Sequence, residues 1–191
     1  MTVLPYILIG IALAIVGLFF QSRYVSFWGQ SPSDYAEGPV FDIREKLNGP
    51  IVCEGVIFGP TGRVSSRFVA NFNASWEGNR CTMREEFLYE GGDRANREWR
   101  LTLSEDGSIQ AEADDVVGTG HGRQSGSAVL LNYRFRLPEA SGGHVLDTTD
   151  WMYLTPNGSI MNRSQFRKFG IKVAELVATM RPGEEPLAKA A

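Results

Sequence analysis

The sequence predicts an all-β fold: one up-and-down antiparallel β-barrel behind a single N-terminal transmembrane helix. Three observations carry this reading. Residues 3–20 run for 18 positions without a charge. Beyond Pro50, apolar and polar residues alternate with period two in a series of short runs. Turn signals, many drawn from the chain's 21 glycines, separate those runs. A length of 191 residues suits one domain with additions, and an apolar fraction of 43% suits a packed core. A net charge of −3 gives no electrostatic reason for a nucleic-acid partner.

The first element is the apolar run VLPYILIGIALAIVGLFF. As a helix, its 18 residues span about 27 Å, close to the roughly 30 Å hydrocarbon thickness. Arg23, Tyr24, Phe27 and Trp28 follow it as an interfacial belt would. No small-residue cleavage site follows the run, and Leu18 stands where a lipidated cysteine would be needed. The expectation is therefore an uncleaved signal anchor over 1–22, contacting the membrane through residues 3–20. Arg23 by itself leans weakly toward a cytoplasmic domain.

A polar linker with Pro, Ser and Gly is expected over 23–40, and the β-domain over 41–181. Residues 41–47 suit one or two helical turns, stopped by Asn48-Gly49-Pro50. Nine strands are then expected, at 51–58, 64–76, 80–89, 97–104, 108–113, 128–137, 145–154, 160–165 and 171–180. Phe68, Ala70, Phe72, Ala74 and Trp76 share one face of the second. Trp99, Leu101 and Leu103 share a face in the fourth, and Leu131, Tyr133, Phe135 and Leu137 in the sixth. One wet face per strand means antiparallel pairing, and many short-linked strands must hide their edges. A closed barrel does so, and a two-sheet sandwich is the alternative. The last run also contains good helix formers but is read as the closing strand, because Ile171, Val173 and Val177 alternate. The tail 182–191 is expected to be disordered.

Few residues invite a chemical reading. Cys53, Cys81, His121 and His144 share no metal-ligand spacing, so no metal and no cofactor is expected. The two cysteines fall on the first and third strands of a meander, about 9.5 Å apart. That exceeds the roughly 7 Å reach of a disulfide, so two buried thiols are expected. The stretch 113–126 has neither a dinucleotide-binding glycine pattern nor a nucleophile elbow, and reads as an irregular loop across a barrel end. Asp115, His121 and Ser125 lie too close in sequence for a catalytic triad. Asp150-Trp151-Met152-Tyr153 is denser in information. Asp150 and Met152 face one way, Trp151 and Tyr153 the other. A hairpin centred on Pro156 and Asn157 would set Arg163 opposite Asp150. An inward Asp–Arg pair there would fix register or hold a ligand's polar head.

Several of these residues carry a resemblance. Trp76-Glu77-Gly78, EEFLY at 85–89, ADDVVG at 113–118, DWMY at 150–153, Asn162-Arg163 and Lys168-Phe169-Gly170 occur in this order. The pattern resembles a bacterial family known as domain of unknown function 3833, over about residues 41–180. Many of its members look like envelope lipoproteins, and its genes often lie beside those of fatty-acid-modifying enzymes. The resemblance implies a bacterial inner-membrane protein with its domain on the periplasmic side, and hints at lipid. It supplies no catalytic residues.

The functional expectation is a lipocalin-like barrel that binds an apolar ligand, a fatty acyl chain or lipid, near the membrane. Its candidate ligand-binding residues are Phe68, Phe72, Trp99, Tyr133, Asp150, Trp151, Tyr153 and Arg163. A structural or partner-binding envelope protein with a filled barrel is the alternative. A lipid-modifying enzyme using Asp114, Asp115, Asp150 or His121 is a second. A cavity of about 300 Å³ or more, lined by apolar groups, favours the first.

Overall fold

A computed structural model of the chain describes residues 3–24 and 26–183. Of the expected disordered tail 182–191, Pro182 instead ends the last strand and Gly183 follows it, whereas 184–191 lie outside the described residues, as does the side chain of Arg23. The elements run α1 (Leu4–Tyr24), 3-10 turns at Phe27–Gly29 and Pro32–Tyr35, α2 (Ile43–Lys46), β1 (Gly49–Phe58), β2 (Val64–Glu77), β3 (Arg80–Tyr89) and β4 (Arg94–Leu103). They continue with β5 (Ser108–Glu112), β6 (Gly120–Ser125), β7 (Ala128–Arg136), a 3-10 turn at Glu139–Ser141, β8 (Val145–Leu154), β9 (Ile160–Lys168) and β10 (Ile171–Pro182).

The ten strands close into one up-and-down antiparallel barrel, with β10 pairing β1 from Ile51↔Pro182 to Phe58↔Glu175. The final run is thus the closing strand, but its inward residues are Leu176, Ala178 and Met180, and a bulge between Lys172 and Ala174 breaks the expected alternation of Ile171, Val173 and Val177. Phe68, Ala70, Phe72, Ala74, Trp99, Leu101, Leu103, Leu131 and Tyr133 are all buried on the inner face.

The strand absent from the sequence expectation is β6, inside the glycine-rich stretch read as a loop. Its inner face carries Gly120 and Gly122, so it lacks the apolar alternation that marks its neighbours. Bulk is excluded there: a Cβ on Gly122 would lie 2.1 Å from the Leu130 carbonyl oxygen, and one on Gly120 2.9 Å from Tyr133 Cβ.

One end of the barrel is plugged. Phe41, Ile43 and Leu47 are almost wholly buried against the core. Asp42 caps the single turn of α2 by accepting from Arg44 N. Trp76 Nε1 donates to the Leu47 carbonyl at 2.8 Å, and Phe41 N to the Gly126 carbonyl at 2.7 Å. The turns between β1 and β2, β3 and β4, β7 and β8, and β9 and β10 crowd the opposite end, the mouth.

The segment before the plug crosses the outer face of β8 and β9. Phe27 packs with Ala128 and Trp151, and Tyr35 meets the rings of Trp151 and Tyr153 at 5.5 and 5.4 Å. Gln30 Oε1 accepts from both the Tyr35 and Tyr153 hydroxyls. Phe27 is therefore barrel packing rather than part of an interfacial belt, and Trp28 lies under the Arg167 guanidinium at 4.4 Å. Within α1, the window Leu4–Gln21 has mean hydropathy 2.2 and none of it is buried. By length and composition it can cross a membrane.

Truncating Trp99 to Ala should cost about 3–5 kcal/mol. Val69→Ala, on the outer face of β2, should stay within about 0.5 kcal/mol of the parent. Denaturant melts of both variants check which face of the alternation is inside.

Candidate functional site

The site is the interior between plug and mouth. Its walls are apolar on β1 and β2 (Cys53, Phe68, Phe72) and carry charge on β3, β4 and β8 (Glu85, Arg97, Asp150). A cavity of about 100 Å³ lies between them. Of the expected ligand-binding residues, Phe68, Phe72, Trp99, Tyr133 and Asp150 line it.

Trp151, Tyr153 and Arg163 do not line it. The β8–β9 connection is a three-residue loop, with Thr155 N donating to the Ser159 carbonyl and Gly158 at φ +84°. A two-residue turn centred on Pro156 and Asn157 would be one residue shorter. Leu154 therefore pairs Ile160, Asp150 pairs Ser164, and Trp151 pairs Arg163. The expected Asp150–Arg163 opposition is corrected by that one-residue shift, which exchanges faces along the whole strand. Arg163 sits outside, with Nε donating to Glu175 Oε1 at 2.6 Å. Lys172 Nζ donates to the other Glu175 oxygen at 2.6 Å. Burial pushes the Glu175 carboxyl up, but these two cations outweigh it and hold it below the ordinary glutamate range.

Inside, Asp150 is held by neutral donors. Asn162 Nδ2 and Ser164 Oγ donate to Oδ1 at 2.5 and 2.8 Å, and the Tyr133 hydroxyl lies 3.4 Å from Oδ2. Burial still raises its pKa, the hydrogen bonds opposing. Burial also raises the Tyr133 phenol, helped by the Asp150 charge.

The interior cation is Arg97, which sequence reasoning missed. Its Nε donates to Asp115 Oδ1 at 3.0 Å, and its guanidinium stacks 4.1 Å from the Trp99 ring centre. Nη2 lies 2.9 Å from the same Asp115 oxygen, yet it has no hydrogen-bond acceptor in usable geometry. Burial lowers the Arg97 pKa, but nearby Tyr133, Glu85 and Asp115 outweigh it and raise it overall. Glu85 was missed too. It is buried, opposite Arg97 on the neighbouring strand. Burial pushes its carboxyl up to about 8; Arg97 opposes this while Asp150 and Asp115 reinforce it. Both residues were marked by their position. Arg97 continues the inward series of Trp99, Leu101 and Leu103, and Glu85 that of Cys81 and Met83.

The remaining candidates are scattered. His121 is exposed on β6, Asp114 pairs on the surface with Arg100, and Asp115 closes over Arg97 at the rim. Cys53 and Cys81 are free and buried, and burial pushes their thiols up to about 12 and about 11.

Comparison with known proteins identifies a family and a shared fold. The profile of a family described as "Protein of unknown function (DUF3833)" fits residues 23–182. The fold matches an S-type phycobiliprotein lyase from Guillardia theta with a TM-score of 0.58, over 82% of this chain and 99% of that one. Sequence identity is 8%, so this likeness is one of fold. No curated protein shows significant sequence similarity to the chain.

A carboxyl whose folded pKa is raised favours the folded state while it is protonated. That contribution is fully present below about pH 4.5 and is lost as pH rises through about 8. Stability should therefore fall across this window by up to about 1.4 kcal/mol per pH unit. Glu85→Gln should flatten the slope, and melts from pH 4.5 to pH 9 read it.

The register makes a second claim. Arg163→Met and Glu175→Gln should be coupled in a double-mutant cycle. Arg163→Met and Asp150→Asn should add to within about 0.5 kcal/mol.

Proposed function

Because the chain belongs to the DUF3833 family, whose description assigns no activity, we propose a function from the barrel's own chemistry. The protein is a membrane-anchored, lipocalin-like barrel that binds an apolar ligand, a fatty acyl chain or lipid, by its polar head. The anchor is α1, and the family resemblance supports a bacterial inner membrane with the barrel on its periplasmic side.

The observation that carries this reading is the pair formed by Arg97 and Glu85. A buried guanidinium nitrogen whose one carboxylate contact, Asp115, lies outside hydrogen-bond geometry, opposite a buried carboxyl on the neighbouring strand, is costly to maintain in an apolar interior. Protonated Glu85 and Arg97 are both donors. A head group rich in acceptors, a carboxylate or an ester carbonyl, satisfies both at once. Phe68, Phe72 and Trp99 supply the apolar surroundings for a tail.

The cavity of about 100 Å³ accepts the head and a few carbons. Drug-sized ligands occupy pockets of about 300–1,000 Å³. A longer chain must displace side chains toward the mouth, where Phe87, Tyr89 and Phe166 are half-buried. The same volume favours a second reading, a structural or partner-binding envelope protein with a filled barrel.

Native mass spectrometry and solvent extraction of the full chain, purified from its membrane, separate the two. Under the ligand reading, an acyl compound co-purifies and added octanoate raises the melting temperature. Arg97→Met should then weaken octanoate binding about tenfold or more, the loss of one charge-assisted hydrogen bond. A barrel that carries nothing and ignores octanoate is the filled one.

A further inference from the structure

We propose that the tip of the β9–β10 hairpin, Lys168-Phe169-Gly170-Ile171-Lys172, is a second membrane contact that inserts into the lipid interface and turns the barrel mouth toward the bilayer. The inference rests on α1 crossing a membrane, as proposed above, and does not depend on a ligand.

The turn breaks its own local rule. Phe169 and Gly170 form a two-residue connection between Lys168 and Ile171, which pair directly. Their φ values are +53° and +77°, so both central residues are left-handed. Such turns favour Asn-Gly or Gly-Gly, and a bulky aromatic at the first position is an outlier. Phe169 is the single non-glycine residue with positive φ among those described. The strain is not offset by packing, because Phe169 is 90% exposed and Ile171 70%. A strained backbone that holds a phenyl ring in water points to a surface the ring is meant to enter.

The hairpin also projects. Pairing of β10 with β1 ends at Phe58↔Glu175, so the residues of β10 before Glu175 extend beyond the end of β1. Lysines flank the apolar pair. The Lys168 ammonium lies 5.2 Å from the Phe169 ring centre, and Lys172 is bound to Glu175. Long cationic side chains beside an inserted aromatic can keep their charge at the head groups.

What fixes the occupant as a bilayer is the route of the chain. α1 ends at Tyr24, and Trp28 follows four positions later. Trp28 lies 4.4 Å from the Arg167 guanidinium, and Arg167 Nη1 donates to the Gly170 carbonyl at 2.8 Å. The membrane-proximal end of the anchor is thus tied through one arginine to the hairpin tip. A bilayer that holds α1 lies against this end of the barrel, with the plug at the other end. An apolar chain leaving the bilayer would then meet the open mouth.

The test uses the full chain in vesicles of phosphatidylcholine and phosphatidylglycerol. An environment-sensitive NBD label is placed at Phe169→Cys, at Ile171→Cys with Phe169 retained, and at Glu105→Cys in the turn beside the plug. Cys53 and Cys81 are buried thiols and should not take the label in the folded protein. The expected result is a blue-shifted label at 169 and 171 that loses most of its emission to shallow doxyl-labelled lipids, while the label at 105 stays unquenched. Co-flotation with vesicles but a water-like, unquenched label at both tip positions overturns the inference and leaves the anchor standing. Equal quenching at 105 and at the tip also overturns it. A chain that fails to float with the vesicles overturns both the anchor and the inference.

Discussion

The number of strands sets the problem that the rest of the molecule solves. Eight strands already enclose a space that side chains can just fill, and diameter grows with strand number. This sheet closes only after ten. The wider interior is filled in two ways. Aromatic side chains on β2, β3, β4 and β7 face inward against small partners such as Ala70, Ala74, Gly120 and Gly122. The chain before β1 then turns back into one end as a plug of Phe41, Ile43 and Leu47. What remains is a cavity closed at the plug and bordered by half-buried aromatics at the mouth.

Into that space the fold places one cation and two carboxyls, and the balance among them gives the interior its chemical preference. Burial raises the pKa of both carboxyls, that of Glu85 up to about 8, with hydrogen bonds from Asn162 and Ser164 opposing the rise at Asp150, whereas Arg97 stays charged. The partner of Arg97 is Asp115, whose side chain is a third exposed at the rim. Solvent weakens that pairing, so Arg97 leaves positive potential beside Glu85. An interior of this sign, with donors aimed inward, selects an acceptor or anion over a cation. Replacing the group by well-packed apolar residues would often be neutral or stabilising. On the proposed reading, its presence serves binding rather than stability.

Most of the fold was legible in the sequence because period two is a strong signal wherever one face is wet. Phe68 to Trp76 and Trp99 to Leu103 show inward and outward faces directly. β6 was hidden because glycines occupy its inner face, and glycine removes the contrast that periodicity relies on. In the site, Phe68, Phe72, Trp99, Tyr133 and Asp150 were legible from alternation. Arg163 was misplaced because Pro156-Asn157-Gly158 suits a two- or a three-residue loop, and one residue decides the face. Trp151 and Tyr153 lie outside because they alternate with the inward Asp150 and Met152; what local pattern cannot show is the segment at 27–35 that covers them there. Arg97 prolongs the apolar series of Trp99, Leu101 and Leu103, and Glu85 interrupts that of Cys81, Met83, Phe87 and Tyr89; a single charged residue in such a series reads as a break in the buried face until the barrel closes around it.

The central claim is that Glu85, beside Arg97, is a buried neutral acid waiting for an acceptor. Carboxyl-carbon NMR of selectively labelled glutamate, assigned through Glu85→Gln, tests it most directly. The account predicts one glutamate titrating near 8 in the free protein. Adding octanoate should raise that midpoint further, because an anion bound beside Glu85 disfavours its ionisation. A Glu85 carboxyl that titrates with the surface glutamates and does not respond to octanoate would contradict both the burial and the site.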